Sequence, residues 1–83
     1  MTEQAKVLDC LGERCPMPLV HLHELIDAAD EQGFLIDVLS DDEGSKVDIP
    51  VWCRMRGHEF LGRDDRAEGG WIFHLRTRDQ GRP

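Results

Sequence analysis

The sequence predicts a two-layer α/β sandwich in which two helices pack on one face of a four-stranded mixed sheet. Three observations indicate this fold class. The chain has 83 residues, which is enough for one hydrophobic core and too few for two. Its apolar residues form strand-length runs and two stretches of helical spacing, in the order β-α-β-α-β-β. Two helices on the same face of a sheet would bury all of these apolar side chains.

The first half of the chain predicts a strand, a helix and a second strand. Residues 6–10 have the composition of a short strand, and Gly12 permits a turn after it. Apolar residues then recur at steps of three and four, which predicts a helix that starts at Cys15 and is capped by Gly33. The apolar face of this helix consists of Leu19, Leu22, Ile26 and Ala29. The apolar run at 34–39 predicts a central strand.

The second half predicts another helix and a hairpin. Asp48 is suited to cap the helix, Pro50 is tolerated in its first turn, and Gly57 ends it. The side chains expected to pack against the sheet are Ile49, Trp52 and Cys53. Residues 58–63 and 71–77 are predicted to pair as two strands. We therefore expect a single domain over 1–83, with its core at about 6–77 and a polar tail at 78–83.

The composition disfavours several classes of function. With 10 basic and 17 acidic residues, the net charge is −7, which opposes stable binding to nucleic acid or to an anionic membrane. No apolar stretch is long enough to span a membrane, and the first residues lack a secretory signal, so we expect a cytoplasmic protein. Three cysteines do not form a disulfide framework, so the thiols are expected to be reduced. We further expect a monomer without a cofactor or metal.

Cys15 is the candidate functional residue. As the N-cap of the first helix, it would be followed by Pro16 and Pro18 at the N1 and N3 positions, where proline fixes φ and sacrifices no hydrogen bond. The helix dipole and Arg14 favour the thiolate and Glu13 opposes it, which predicts moderate reactivity. The chain has four histidines, and the sequence places none beside this cysteine, so a cysteine hydrolase is disfavoured.

A series of short motifs gives the functional prediction more detail. In chain order these are Leu8-Asp9, Gly12, Cys15-Pro16-Met17-Pro18, Asp41-Asp42, Asp48-Ile49-Pro50, Trp52-Cys53 and Gly57-His58. In the order and spacing of these motifs, the sequence resembles the TusA (SirA-like) family of small sulfur-carrier proteins with a Cys-Pro-x-Pro motif. The resemblance covers roughly residues 7–77.

The resemblance implies a two-layer α/β sandwich and a role in a sulfur relay. Cys15 would accept sulfane sulfur as a persulfide from a cysteine desulfurase or rhodanese and pass it to an acceptor protein. The local sequence adds Arg14, Pro16 and Pro18 as supporting residues. The partner proteins would supply catalysis, so the chain would be a carrier rather than a stand-alone enzyme. Such proteins serve tRNA thiolation, molybdenum cofactor assembly and sulfur oxidation.

The other two cysteines, Cys10 and Cys53, leave alternative functions open. A thiol at Cys10 could attack a persulfide on Cys15, expel sulfide and leave a disulfide, which would make the chain a thiol redox switch. We expect instead that Cys10 and Cys53 both pack in the core as small hydrophobic residues, in which case Cys10 does not interfere. A metal module that combines these three cysteines with His58 fits poorly, because zinc sites rarely use Cys-x4-Cys spacing. A regulatory or RNA-binding module is a further alternative, which the negative charge disfavours.

Overall fold

The computed structural model describes residues 4–14, 16–29 and 33–78. Cys15 lies outside the described residues, as does the predicted tail beyond residue 78. The elements in chain order are β1 (Lys6–Asp9), α1 (Met17–Ala28), β2 (Leu35–Ser40), α2 (Ser45–Arg56), β3 (Glu59–Asp65) and β4 (Trp71–Arg76). The predicted order β-α-β-α-β-β is confirmed. No helix within the described ranges is long and apolar enough to cross a membrane.

The four strands form one mixed sheet in the order β1-β2-β4-β3. β1 is parallel to β2, whereas β4 is antiparallel to both β2 and β3. The strands β1, β2 and β3 therefore point the same way, and each helix returns the chain to the start of the next parallel strand. It follows that the N-termini of α1 and α2 lie at the same edge of the sheet, beside the carboxyl ends of β1 and β2.

Both helices pack on one face of this sheet, as predicted. Leu22 of α1 and Ile49 of α2 are fully buried in a shared hydrophobic core. The strand side chains in this core are Ile36, Val38, Phe73 and Leu75. They occupy alternate positions along β2 and β4, so they project from the same face of the sheet.

The start of α1 differs from the prediction by one residue. Met17 is the first helical residue and Pro16 is the N-cap, so Pro18 occupies N2 rather than N3. The predicted assignment of the N-cap to Cys15 is wrong. Pro16 is suited to this position because its carbonyl accepts the first helical hydrogen bonds, from the amides of residues 19 and 20, and its missing N–H is not required. Pro18 is also fully buried, which anchors the first turn in the core.

The end of α1 is also earlier than predicted. Ala28 is the last helical residue, and Ala29 is the C-cap in an extended conformation. Gly33, the predicted cap, instead adopts a φ of +71° just before β2. The apolar periodicity stops at Ala29, so a longer helix would have no further side chains to bury against the core.

The start of α2 is earlier than predicted. The helix begins at Ser45, so Asp48 is its fourth residue rather than its cap, and Pro50 lies inside the helix. A buried hydrogen bond of 3.0 Å between the hydroxyls of Ser40 and Ser45 ties this earlier start to the end of β2. Gly57 caps the helix in the left-handed conformation, with a φ of +79°, as predicted.

Candidate functional site

The candidate site lies at the sheet edge where β1 and β2 end and both helices begin. Residue 15 is outside the described residues, so the site is defined by the segments on either side of it. A cleft of about 410 Å³ separates the loop after β1 from the loop after β2. Its lining residues are Gly12, Glu13, Arg14, Asp41, Asp42 and Glu43. Four carboxylates and one guanidinium make this edge acidic.

The loop before residue 15 is held by a contact that spans the cleft. The backbone N–H of Gly12 donates a hydrogen bond of 3.0 Å to Asp41 Oδ1, which joins two loops that are 29 residues apart. Within the loop, the N–H of Leu11 donates to Asp9 Oδ1 at 3.0 Å, and the N–H of Glu13 donates to the Cys10 carbonyl at 3.1 Å. Together these bonds determine the path of the chain up to Glu13.

The segment across residue 15 is closed by a backbone hydrogen bond. The N–H of Met17 donates to the Arg14 carbonyl oxygen at 2.9 Å, which forms a turn directly before α1. Arg14 and Pro16 are both exposed. The three predicted supporting residues have different positions. Arg14 lines the cleft, Pro16 is the N-cap of α1, and Pro18 is fully buried.

His21 also lies at this edge of the sheet, although the sequence did not indicate it as a site residue. Its Nε2 lies 3.0 Å from Glu13 Oε1, and its Nδ1 lies 3.6 Å from Glu24 on the next turn of α1. Side chains on a helix tilt toward its N-terminus, which is why His21 reaches back to the loop. No sequence signal could have indicated the pair, because the contact depends on the path of the β1–α1 loop.

The hairpin between β3 and β4 supports the same edge. Gly70 has a φ of +78°, and a Cβ at this residue would lie 2.8 Å from the Ser40 carbonyl oxygen. Lys46, in the first turn of α2, places its ammonium 4.7 Å from the centre of the Trp71 ring. The hairpin therefore packs against both the end of β2 and the start of α2.

Cys10 and Cys53 are core residues. Their exposed fractions are 0% and 1%, and both belong to the hydrophobic core between helices and sheet. Burial, reinforced by the charges of Glu13 and Asp9, raises the pKa of the Cys10 thiol to about 11. Burial alone raises the pKa of the Cys53 thiol to about 11. The prediction that both thiols pack as small hydrophobic residues is confirmed, and at neutral pH both are protonated.

His58 lies at the other end of α2, away from the candidate site. It is 8% exposed, its ring stacks on Trp52 with centroids 5.5 Å apart, and its Nδ1 accepts a hydrogen bond of 3.1 Å from the N–H of Arg78. Burial, followed by the charge of Arg56, lowers the pKa of this imidazole. Within the described ranges, no group of three or more His, Cys, Asp or Glu residues is arranged to bind a metal ion.

Comparison with known proteins identifies the family. The sequence pattern of the family described as Sulfurtransferase TusA matches residues 6–77. This chain belongs to the TusA family. Its relatives include two proteins named sulfur carrier protein TusA. The one from Pseudomonas entomophila is 34% identical over 71 residues, which is 86% of each chain, and the one from Pseudomonas putida is 33% identical over 72 residues, which is 87% of this chain and 88% of the relative.

A solved structure confirms the fold of this TusA family member. The crystal structure of a SirA-like protein from Desulfitobacterium hafniense superposes with a TM-score of 0.75. The superposition covers 88% of this chain and 97% of the other, at 19% sequence identity. The two-layer α/β sandwich with a four-stranded mixed sheet is therefore shared with that protein.

Proposed function

We propose that this chain is a sulfur carrier that bears sulfane sulfur as a persulfide on Cys15. Membership of the TusA family and the names of its relatives support the carrier role. The observation that supports Cys15 as the carrier is the burial of the other two cysteines. Cys10 and Cys53 have raised pKa values and almost no access to solvent, whereas Arg14 and Pro16 on either side of residue 15 are exposed.

The proposed transfer requires no residue beyond a nucleophilic thiolate. The Cys15 thiolate attacks the outer sulfur of a donor protein's persulfide, a new sulfur–sulfur bond forms on Cys15, and the donor cysteine leaves as its thiolate. The acceptor protein then repeats the step in the opposite sense, and Cys15 returns to the thiolate. The sum of the two steps moves one sulfur atom with no net oxidation, so the carrier needs no cofactor.

The local structure suits a residue that two enzymes must reach in turn. Hydrogen bonds at Gly12, Glu13 and Met17 hold the chain on both sides of Cys15, which limits the conformations that a partner must select. Proline at the N-cap and at N2 reduces fraying of the first turn of α1. The charge at this edge is acidic, which favours partners whose active cysteines lie in basic surroundings.

The chain would act between a donor protein, such as a cysteine desulfurase or a rhodanese, and an acceptor protein. tRNA thiolation, molybdenum cofactor assembly and sulfur oxidation are the pathways that we consider. A reactive thiol in a chain whose other two cysteines are free thiols suits a reducing compartment such as the cytoplasm. We propose that the carrier works as a monomer, because Cys15 must be presented to two different partners.

The alternative redox switch between Cys10 and Cys15 receives no support from the described residues. A disulfide requires one thiolate to attack, and the raised pKa of the Cys10 thiol keeps it protonated at neutral pH. Its exposed fraction of 0% also means that the core would have to open before it could react. A zinc site through Cys53 meets the same obstacles.

The test of the proposal is the intact mass after incubation with a cysteine desulfurase and free cysteine. Wild type and Cys10→Ser should gain one sulfur atom that a reductant removes, and Cys15→Ser should gain none. Cys53→Ala serves as a matched control, since it also removes one thiol and should retain the gain. If wild type instead loses two hydrogens without gaining sulfur, the proposal is wrong and a disulfide is the product.

A further inference from the structure

The contact between Glu13 and His21 closes the loop that carries Cys15. Glu13 lies two residues before Cys15, and His21 lies on the second turn of α1, so the pair links the two ends of the segment between them. Their side chains are partly exposed, at 38% for Glu13 and 31% for His21. The distance of 3.0 Å between Oε1 and Nε2 is within hydrogen-bonding range.

Glu13 Oε1 is a buried carboxylate oxygen that lacks a well-directed hydrogen-bond donor in the part of the chain that the structure describes. It is shielded from solvent, and among the described residues it accepts no well-directed hydrogen bond, although the Glu13 side chain as a whole is partly exposed. A shielded carboxylate oxygen without such a bond is unfavourable unless a positive group compensates its charge. His21 Nε2 is the neighbouring group that can do so, since an N–H on that nitrogen places positive charge against Oε1.

The position of this carboxylate matters for any thiolate at residue 15. Residues two apart in an extended chain have Cα atoms no more than about 7 Å apart, so the charge of Glu13 acts on Cys15 over a short distance. A carboxylate that turned away from His21 and toward residue 15 would oppose formation of the thiolate. A carboxylate that His21 holds and partly compensates opposes it less.

We propose that His21 is a positioning residue for Cys15, which holds the Glu13 carboxylate against α1 and so limits its repulsion of the reacting thiolate. The inference rests on the proposed function, since it assigns the thiolate of Cys15 as the nucleophile. Other charged groups at this edge are Arg14 of the same loop, Glu24 of α1, and Asp41, Asp42 and Glu43 of the β2–α2 loop. They are unchanged in the His21 and Glu13 variants below and therefore contribute equally to each.

The experiment measures the rate at which iodoacetamide alkylates Cys15, between pH 6 and pH 10. For His21→Ala we expect a rate at pH 7 that is about threefold to tenfold lower, and a profile shifted to higher pH, because Glu13 is no longer compensated. Glu13→Gln should raise the rate and shift the profile to lower pH. In the Glu13→Gln background, His21→Ala should change the rate by less than about twofold, since no carboxylate remains to be held.

Glu24→Gln is the matched control. It removes the second carboxylate that contacts the same imidazole, at 3.6 Å, but lies far along the sequence from Cys15. The alkylation rate of Cys15 in Glu24→Gln, and the pH dependence of this rate, should equal those of wild type. Thermal melts check that each variant is folded. We expect this because alanine and glutamine are good helix formers at residues 21 and 24, and residue 13 lies in a loop before α1.

Three results would overturn the inference. The first is a wild-type rate in His21→Ala. The second is that His21→Ala lowers the alkylation rate by the same factor in the wild-type and in the Glu13→Gln background. That result would mean that His21 acts through the conformation of the loop and not through the charge of Glu13. The third is a loss of similar size in Glu24→Gln. Because alkylation involves no donor protein, a failure of sulfur transfer with the expected alkylation pattern would reject the proposed function and leave the role of His21 intact.

Discussion

His74 Nδ1 lies 2.8 Å from Asp37 Oδ1 across the β2–β4 pair, and its Nε2 lies 2.8 Å from Asp64 Oδ2 on β3. One imidazole thereby connects three strands on the sheet face opposite the helices. The hydrogen bond to Asp37 is the main cause that raises the pKa of His74, and the bond to Asp64 adds to it, whereas partial burial opposes both.

His74 should therefore stabilise the fold more at low pH than at high pH. A pKa raised in the folded state adds stability that is complete below the unfolded value of about 6.5 and is lost as pH rises through the folded value. We expect His74→Gln to lower the urea midpoint more at pH 6 than at pH 9. His23→Gln, which replaces an exposed histidine of α1, is the matched control. Equal losses at both pH values for His74→Gln would contradict the prediction.

His58 should have the opposite effect. Its lowered pKa means that its stabilising contribution is complete above the unfolded value of about 6.5 and is lost as pH falls toward the folded value. Protonation would also remove the Nδ1 acceptor that binds the N–H of Arg78. We expect wild type to lose stability between pH 7 and pH 5 more steeply than His58→Phe, which keeps an aromatic ring against Trp52.

For His58, the quantity to compare is the change in the free energy of unfolding with pH, and not the free energy of unfolding at one pH. His58→Phe leaves the N–H of Arg78 without its acceptor, which should cost about 1 kcal/mol at any pH. Urea unfolding at half-unit steps from pH 7 to pH 5 separates this constant loss from the pH-dependent part. A slope in the variant as steep as that of wild type would show that another group titrates.

Gly70→Ala should destabilise the site edge. Residue 70 has a φ of +78°, and a Cβ there would lie 2.8 Å from the Ser40 carbonyl oxygen and 3.0 Å from the Asp41 Cβ. We expect a loss of about 1 to 3 kcal/mol in the free energy of unfolding. Because Asp41 accepts the hydrogen bond from Gly12, sulfur loading of Cys15 should also slow.

Gly69→Ala is the matched control for this prediction. Residue 69 has a φ of +108°, and a Cβ there would meet no atom of the described residues within 4 Å, so its variant carries conformational strain without the clash. We expect it to lose less stability than Gly70→Ala and to load sulfur at the wild-type rate. Equal effects in the two variants would mean that the approach of Gly70 to Ser40 is unimportant.

Cys10 and Cys53 should resist alkylation while the protein is folded. With a pKa of about 11, each thiol is about 0.1% thiolate at pH 8, and each side chain is shielded by the core. After a short treatment with iodoacetamide at pH 8, intact mass should show at most one adduct in buffer and three in urea. A second adduct in buffer would show that the core opens at one of these cysteines.

Element type and order could be predicted from the sequence because they depend on local patterns. The apolar spacing of Leu19, Leu22 and Ile26 is sufficient to predict a helix, and alternation in 71–76 is sufficient to predict a strand. The first and last residues of the helices are predicted less accurately. Ser45 begins α2 three residues before the predicted cap, because its buried bond with Ser40 is a tertiary contact with no local signature.

The sequence by itself determined the fold class, the family and the candidate carrier residue, since apolar periodicity and short motifs are properties of the chain alone. Tertiary structure decided which of the described thiols are shielded and which groups meet at the site edge. Cys10 is buried because β1 ends beneath the helices, and Glu13 meets His21 because the loop turns back on α1. Burial and contacts between distant residues arise only when the elements pack, so no local pattern could have predicted them.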